Sequence, residues 1–213
     1  MKRLFTLLYI ITVAIAMSAQ PSPIKKAAKN TLKLTTFKED GTILATGYGV
    51  FINEDGTALT AWTPFKGAST ATIIDGQGRR FEVDCLYGAS DIYDIARVKI
   101  KKDDKVRITP VSIEQGQQAA GADAWFVGYD VKAPSFTKLP ITKVETFMND
   151  MPYYIIEQEK ENITETMTGS PVFNAQGNLM GLMKTSTTRT DLYVSSARYA
   201  LTLQPSALAS NDN

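Results

Sequence analysis

Apolar side chains in this chain recur at every second position, in short runs that stop at Gly, Asp and Asn turns, and this pattern limits the fold more than any other. Leu32-Lys33-Leu34-Thr35-Thr36-Phe37 alternates, and so does Ile95-Ala96-Arg97-Val98-Lys99-Ile100. Successive side chains of a strand point to opposite faces, so period-two alternation predicts strands with one face buried. Glu39-Asp40-Gly41, Asn53-Glu54-Asp55-Gly56 and Asp75-Gly76-Gln77-Gly78 stand between runs as tight connections. Their glycines supply the left-handed backbone that hairpin turns need. Beyond the N-terminal apolar segment no long helical period appears.

Strands are predicted over residues 32–37, 46–52, 57–61, 71–74, 79–87 and 95–100, then over 124–127, 137–147, 153–157, 171–173, 179–183 and 192–196. Evenly spaced short strands of this kind make an antiparallel all-β barrel or sandwich. The polar, charged stretch 101–110 marks a border, giving an N-terminal half over 20–105 and a C-terminal half over 106–213. Gly47 and Gly49 inside one strand predict a bulge or a close backbone approach.

Residues 1–19 are set apart. Met1-Lys2-Arg3 is positive, the residues up to Met17 are nearly all apolar, and Ser18-Ala19 is a small-residue exit. That is the layout of a cleavable secretory signal peptide, so the protein is expected to be exported, secreted or periplasmic. The apolar core is too short for a comfortable span, and no membrane span is expected after cleavage. The formal net charge of +1 comes without a sustained basic patch, which argues against nucleic-acid binding.

No cofactor or metal is expected. There is no phosphate loop or dinucleotide fingerprint, and with no histidine and one cysteine the chain lacks a zinc ligand set. Cys85 can form no disulfide within the chain. Its alternation with Phe81 and Val83 predicts a buried, inert thiol.

Four stretches, in order, carry a resemblance. They are Thr46-Gly47-Tyr48-Gly49-Val50-Phe51-Ile52, Asp55-Gly56-Thr57-Ala58-Leu59-Thr60-Ala61, Asp91-Ile92-Tyr93-Asp94-Ile95-Ala96, and Thr166-Met167-Thr168-Gly169-Ser170-Pro171-Val172-Phe173. Over about residues 42–183 they resemble the trypsin-like (chymotrypsin-fold) serine peptidases, and in pattern the HtrA-type branch. The resemblance implies two antiparallel six-stranded β-barrels, together one trypsin-like domain with a cleft between them. The chain ends before a PDZ domain of the HtrA type would follow.

Carried over residue by residue, the resemblance places the catalytic histidine at Thr63, the aspartate at Asp94 and the serine at Thr168. Only the aspartate survives, so no intact catalytic residue is expected. The oxyanion hole would be built by backbone N–H groups of Thr166, Met167 and Thr168, with threonine at Thr166 where the family has glycine. Trp62, next to the histidine position, and Ser170 would line the cleft. Tyr193, Val194, Ser195 and Ser196 would offer the edge strand on which an extended peptide adds by backbone hydrogen bonds.

Acyl transfer needs a base that takes the hydroxyl proton and returns it to the leaving group. A threonine hydroxyl cannot do that near neutral pH, and general-base help contributes about 10²–10⁴ in rate. The expectation is a catalytically inactive homologue that binds an extended peptide or another exported protein. The alternative is an atypical serine/threonine peptidase using Thr168 or Ser170 with a non-histidine base, for which Lys66, Lys160 and Lys184 are candidates. A third reading is an unrelated secreted β-sandwich adhesin.

Overall fold

The computed structural model describes residues 21–129, 134–147, 150–157, 168–184 and 191–203. Residues 1–20, which include the predicted signal peptide, lie outside the described residues. The expected all-β class is what is found. Helix α1 (Ser22–Ala28) is followed by thirteen strands: β1 (Thr31–Phe37), β2 (Ile43–Phe51), β3 (Thr57–Thr60), β4 (Thr70–Asp75), β5 (Arg80–Ser90), β6 (Ile95–Ile100), β7 (Asp123–Tyr129), β8 (Pro134–Pro140), β9 (Lys143–Phe147), β10 (Met151–Glu157), β11 (Pro171–Phe173), β12 (Leu179–Lys184) and β13 (Asp191–Ser196).

The first six strands close a barrel in the order β1-β2-β3-β6-β5-β4. Every neighbouring pair is antiparallel. The other seven form one sheet, β8-β7-β11-β12-β13-β10-β9. The expected double-barrel plan is found, with one strand more in the second, curled half than the six expected, and the reason is local. The run expected as a single strand over 137–147 is split at Ile141-Thr142. Ile141 and Thr142 donate their N–H groups to opposite sides, to the carbonyls of Ala122 and Ile155. The two edges of the sheet are therefore consecutive in sequence, and the sheet curls back on itself. Pro140, which has no N–H to give a ladder, ends β8 at that corner.

Three apolar cores follow from the alternation. Leu32, Leu34, Phe51, Ile73, Val98 and Ile100 fill the first barrel. Phe126, Tyr154, Ile156, Val172, Met180 and Val194 fill the curl of the second sheet. A third core joins the halves: Val50, Leu59, Tyr93 and Ile95 meet Val127, Phe173, Leu179 and Leu182. Strands at this junction are covered on both faces. β3 and β11 are therefore buried at every residue, and their apolar runs do not alternate. Helix α1 was not legible as a period because it is a single short element. Pro23 starts it, and Ile24, Ala27 and Ala28 are buried in the joining core.

The turn signals act as expected. Asp55 Oδ1 accepts from the Thr57 N–H at 2.9 Å, and Gly56 sits at φ +90°. Gly47 and Gly49 mark close backbone approaches: a Cβ on Gly49 would lie 2.4 Å from the Leu59 carbonyl oxygen. Cys85 is half-buried, not buried: it keeps the alternation with Phe81 and Val83, but Val83 and Cys85 on that side are only partly covered. Burial first, and then the neighbouring Asp84 carboxylate, pushes its thiol above the usual range, which leaves it a poor nucleophile.

Asp55 supplies a pH prediction. Partial burial works against its charge. Hydrogen bonds from Lys99 and Thr57 outweigh that and hold its carboxyl at about 2. Its folded value lies below the ordinary aspartate value of about 3.9, so the stability it adds is present above pH ~4 and is lost as pH falls through ~2. The side chain is 55% exposed, and solvent screening limits the contribution to about 1 kcal/mol or less. Asp55→Asn is therefore expected to lower the urea midpoint slightly at pH 7, with the difference from the parent shrinking as pH falls from ~4 through ~2.

Candidate functional site

The ladder between β3 and β6 pairs Thr60 with Ala96. Just past those paired ends the two chains carry Thr63 and Asp94, which is why residues so far apart in sequence meet. Thr63 opens a 3-10 turn over Thr63–Phe65, with Pro64 fixing its start. Asp94 ends the turn 91–94 in a left-handed conformation, φ +51°. The residue is 5% exposed. Asp94 Oδ1 accepts two hydrogen bonds from Thr63, from the backbone N–H at 2.7 Å and from Oγ1 at 2.8 Å. The Trp62 N–H adds a longer bond to the Asp94 carbonyl, 3.3 Å.

Thr168 arrives from the other half. Its carbonyl accepts the Tyr48 N–H at 3.1 Å, and Gly169 N–H reaches the Met183 carbonyl at 2.8 Å. Gly169 has φ +81°, and a Cβ there would stand 2.4 Å from the Tyr48 carbonyl oxygen and 3.2 Å from the Ala61 Cβ. Gly47 receives the turn from the opposite side. A Cβ on Gly47 would touch both the Thr168 carbonyl and the Pro64 ring, each at 3.2 Å. The Thr168-Gly169 turn of the second half thus plugs a notch cut by glycine in the first, beside the 3-10 turn that begins at Thr63. The structure therefore brings Thr63, Asp94 and Thr168 to one junction between the halves.

The other predicted residues divide. Thr166 and Met167 lie outside the described residues. Thr168 is 8% exposed and Ser170 only 1%. Ser170 Oγ is buried with no hydrogen-bond partner. Trp62 is half-buried; its ring stacks on Phe65 at 6.3 Å, and its indole N–H donates to Asp91 Oδ1 at 3.0 Å. Trp62 is thus held in place at the rim beside Thr63.

Tyr193, Val194, Ser195 and Ser196 correct an expectation. They belong to β13, which is paired on one flank with β10 and on the other with β12. Val194, Ser195 and Ser196 are all buried. A strand with both ladders filled has no free N–H and C=O row, so this stretch is an interior strand and not an edge for peptide addition.

Two of the three lysines proposed as alternative bases are otherwise employed. Lys66 forms an ion pair with Asp91 on the surface. The hydrogen bond from Lys66, ahead of the smaller one from Trp62, holds the Asp91 carboxyl below its ordinary value. Lys184 Nζ donates to the Ile92 carbonyl at 3.0 Å. Lys160 lies outside the described residues. Among the described residues no three Cys, Asp or Glu side chains gather as a metal site, and no helix is long and apolar enough to cross a membrane.

Three aromatic residues escaped sequence reasoning. Tyr93 stacks on Tyr153 at 5.4 Å and on Tyr199 at 3.8 Å. Tyr153 Oη also donates to the Ile92 carbonyl at 2.8 Å. Burial foremost, with the Asp94 carboxylate among the lesser causes, pushes the Tyr153 phenol above its usual range. The adjacent pair Tyr153-Tyr154 on an alternating strand was the available signal: one ring must leave the core, and it is the outward one that reaches Ile92.

The family model described as a trypsin-like peptidase domain matches residues 47–182. The chain belongs to that family. The match spans the first barrel from β2 onward and the second sheet as far as β12, so it contains Thr63, Asp94 and Thr168 together. The search of curated proteins returned no match. As a trypsin-like peptidase domain the fold explains why the two halves meet along a shared core, with loops from each converging at one junction. The secreted β-sandwich reading is thereby set aside.

Proposed function

We propose that this trypsin-like peptidase domain is a catalytically silent homologue that is exported and uses the cleft between its halves to bind an extended peptide or another exported protein. One observation carries the reading. Where a proton-accepting imidazole would stand, Thr63 spends its N–H and its hydroxyl on Asp94, in a chain that contains no histidine. A hydroxyl donor locked onto a carboxylate cannot take a proton from Thr168, and an unassisted threonine hydroxyl is a poor nucleophile. The burial of Thr168 and Ser170 supports the same reading, because a nucleophile must reach its substrate.

Export rests on the leader pattern of residues 1–19. Binding rests on the family scaffold, with Trp62 and Phe65 as a stacked, half-buried aromatic pair beside Thr63. The test uses the purified mature chain carrying Trp125→Phe, which leaves Trp62 as the sole tryptophan. A library of extended peptides is expected to yield members that shift Trp62 emission on binding and are recovered uncut. Peptides recovered cleaved, with the cleavage lost in Thr168→Ala, would contradict the reading.

A further inference from the structure

The turn 91–94 is held at its two ends from within its own half: Lys66 and the Trp62 indole bond to Asp91, and Thr63 and the Trp62 N–H bond to Asp94. Asp91 and Ile92 are exposed, and within the turn's own neighbourhood the Tyr93 N–H makes one long bond, 3.3 Å, to Ser90 Oγ. The turn ends on Asp94 with φ +51°, a left-handed conformation that aspartate tolerates better than most residues with a Cβ. Its middle, Ile92 and Tyr93, is held from the opposite half. The Ile92 carbonyl accepts from two side chains of the second sheet, Tyr153 Oη on β10 at 2.8 Å and Lys184 Nζ at the end of β12 at 3.0 Å. The next residue, Tyr93, is clamped in the ring stack with Tyr153 and Tyr199.

We propose that Tyr153 and Lys184 are positioning residues that latch the turn 91–94 across the junction, so that the Thr63–Asp94 pair takes its geometry only when the two halves are docked. Lys184 then has a role as a strut on a backbone carbonyl, distinct from that of a base. A carbonyl has two lone pairs, and here both are used by the opposite half, so the turn is fixed at one point from two directions. Loosening it frees Asp94 to relax from its left-handed conformation and drops its hydrogen bonds to Thr63. As a statement about the cleft, the proposal rests on the binding reading above. As a statement about the latch, it does not.

The experiment measures amide hydrogen exchange in the full mature chain for Tyr153→Phe, Lys184→Met, their combination and Lys184→Arg. Phenylalanine keeps the ring stack and loses only the hydroxyl; methionine keeps the stem and loses only the ammonium. Each hydrogen bond removed is expected to speed exchange of the Thr63 amide roughly threefold, and the pair about tenfold. The Ile100 amide, bonded to Gly56 at the far end of the first barrel, is expected to change less than twofold. Lys184→Arg is expected to keep the parent rate.

Three results would overturn the latch: no change at Thr63, equal acceleration at Thr63 and Ile100, or an arginine variant as fast as the methionine one. Should the combined variant not fold, the single variants decide by the same comparison. Library peptides that bind the parent are expected to weaken in the combined variant. If Thr63 responds while no peptide binds the parent, the latch stands and the binding reading falls.

Discussion

Gly169→Ala is expected to destabilise the protein by about 2–5 kcal/mol, a large share of the stability of an ordinary domain. Two effects add. A Cβ at φ +81° costs about 1–2 kcal/mol in backbone conformation. The same Cβ would lie 2.4 Å from the Tyr48 carbonyl oxygen and 3.1 Å from the Ala61 nitrogen, backbone atoms that cannot swing aside as a flexible side chain could. Overpacking of that kind costs a further 1–3 kcal/mol or so. The control is Gly67→Ala, at φ +81° with nothing within 4 Å of its Cβ. It is expected to cost only the conformational part. Urea denaturation of both variants checks this; equal costs would mean that the Thr168-Gly169 turn is not lodged in its notch.

Asp94→Ala is expected to cost about 3–4 kcal/mol, and Asp94→Asn about 1 kcal/mol. Alanine removes the acceptor of two partly buried donors, the Thr63 N–H and Oγ1. Each stranded donor costs about 1–3 kcal/mol. Asparagine keeps an oxygen at the same place and tolerates the left-handed backbone, so it forfeits mainly the charge-assisted part of the bonds. Denaturant midpoints give the comparison. In a working triad the same asparagine change would be judged by lost turnover; on the proposed reading its measurable consequence is a small loss of stability.

Much of this was readable in the sequence. Alternation and Gly-Asp turns located nearly all the strands, because in strands such as β1, β4 and β6 one face is buried more deeply than the other. The resemblance, carried over residue by residue, named Thr63 and Asp94 as neighbours, and the pairing of β3 with β6 brings those two together. What escaped had no periodic signature. The corner at Ile141-Thr142 depends on two backbone bonds to opposite strands, and nothing in the run 137–147 announces it. β13 was misjudged as an edge because alternation reports which faces are buried and is silent on which edges are paired. Helix α1 was too short for a period to show. The Tyr153 and Lys184 bonds to Ile92 join residues 61 and 92 positions apart, a relation fixed only by how the halves dock.

The most direct test of the central claim is labelling of the purified mature chain with a covalent serine-hydrolase probe beside an active trypsin-like peptidase. With Thr63 tied to Asp94 and no histidine in the chain, no labelling above background is expected. Labelling that vanishes in Thr168→Ala or Ser170→Ala would contradict it, and would mean that another group supplies the base.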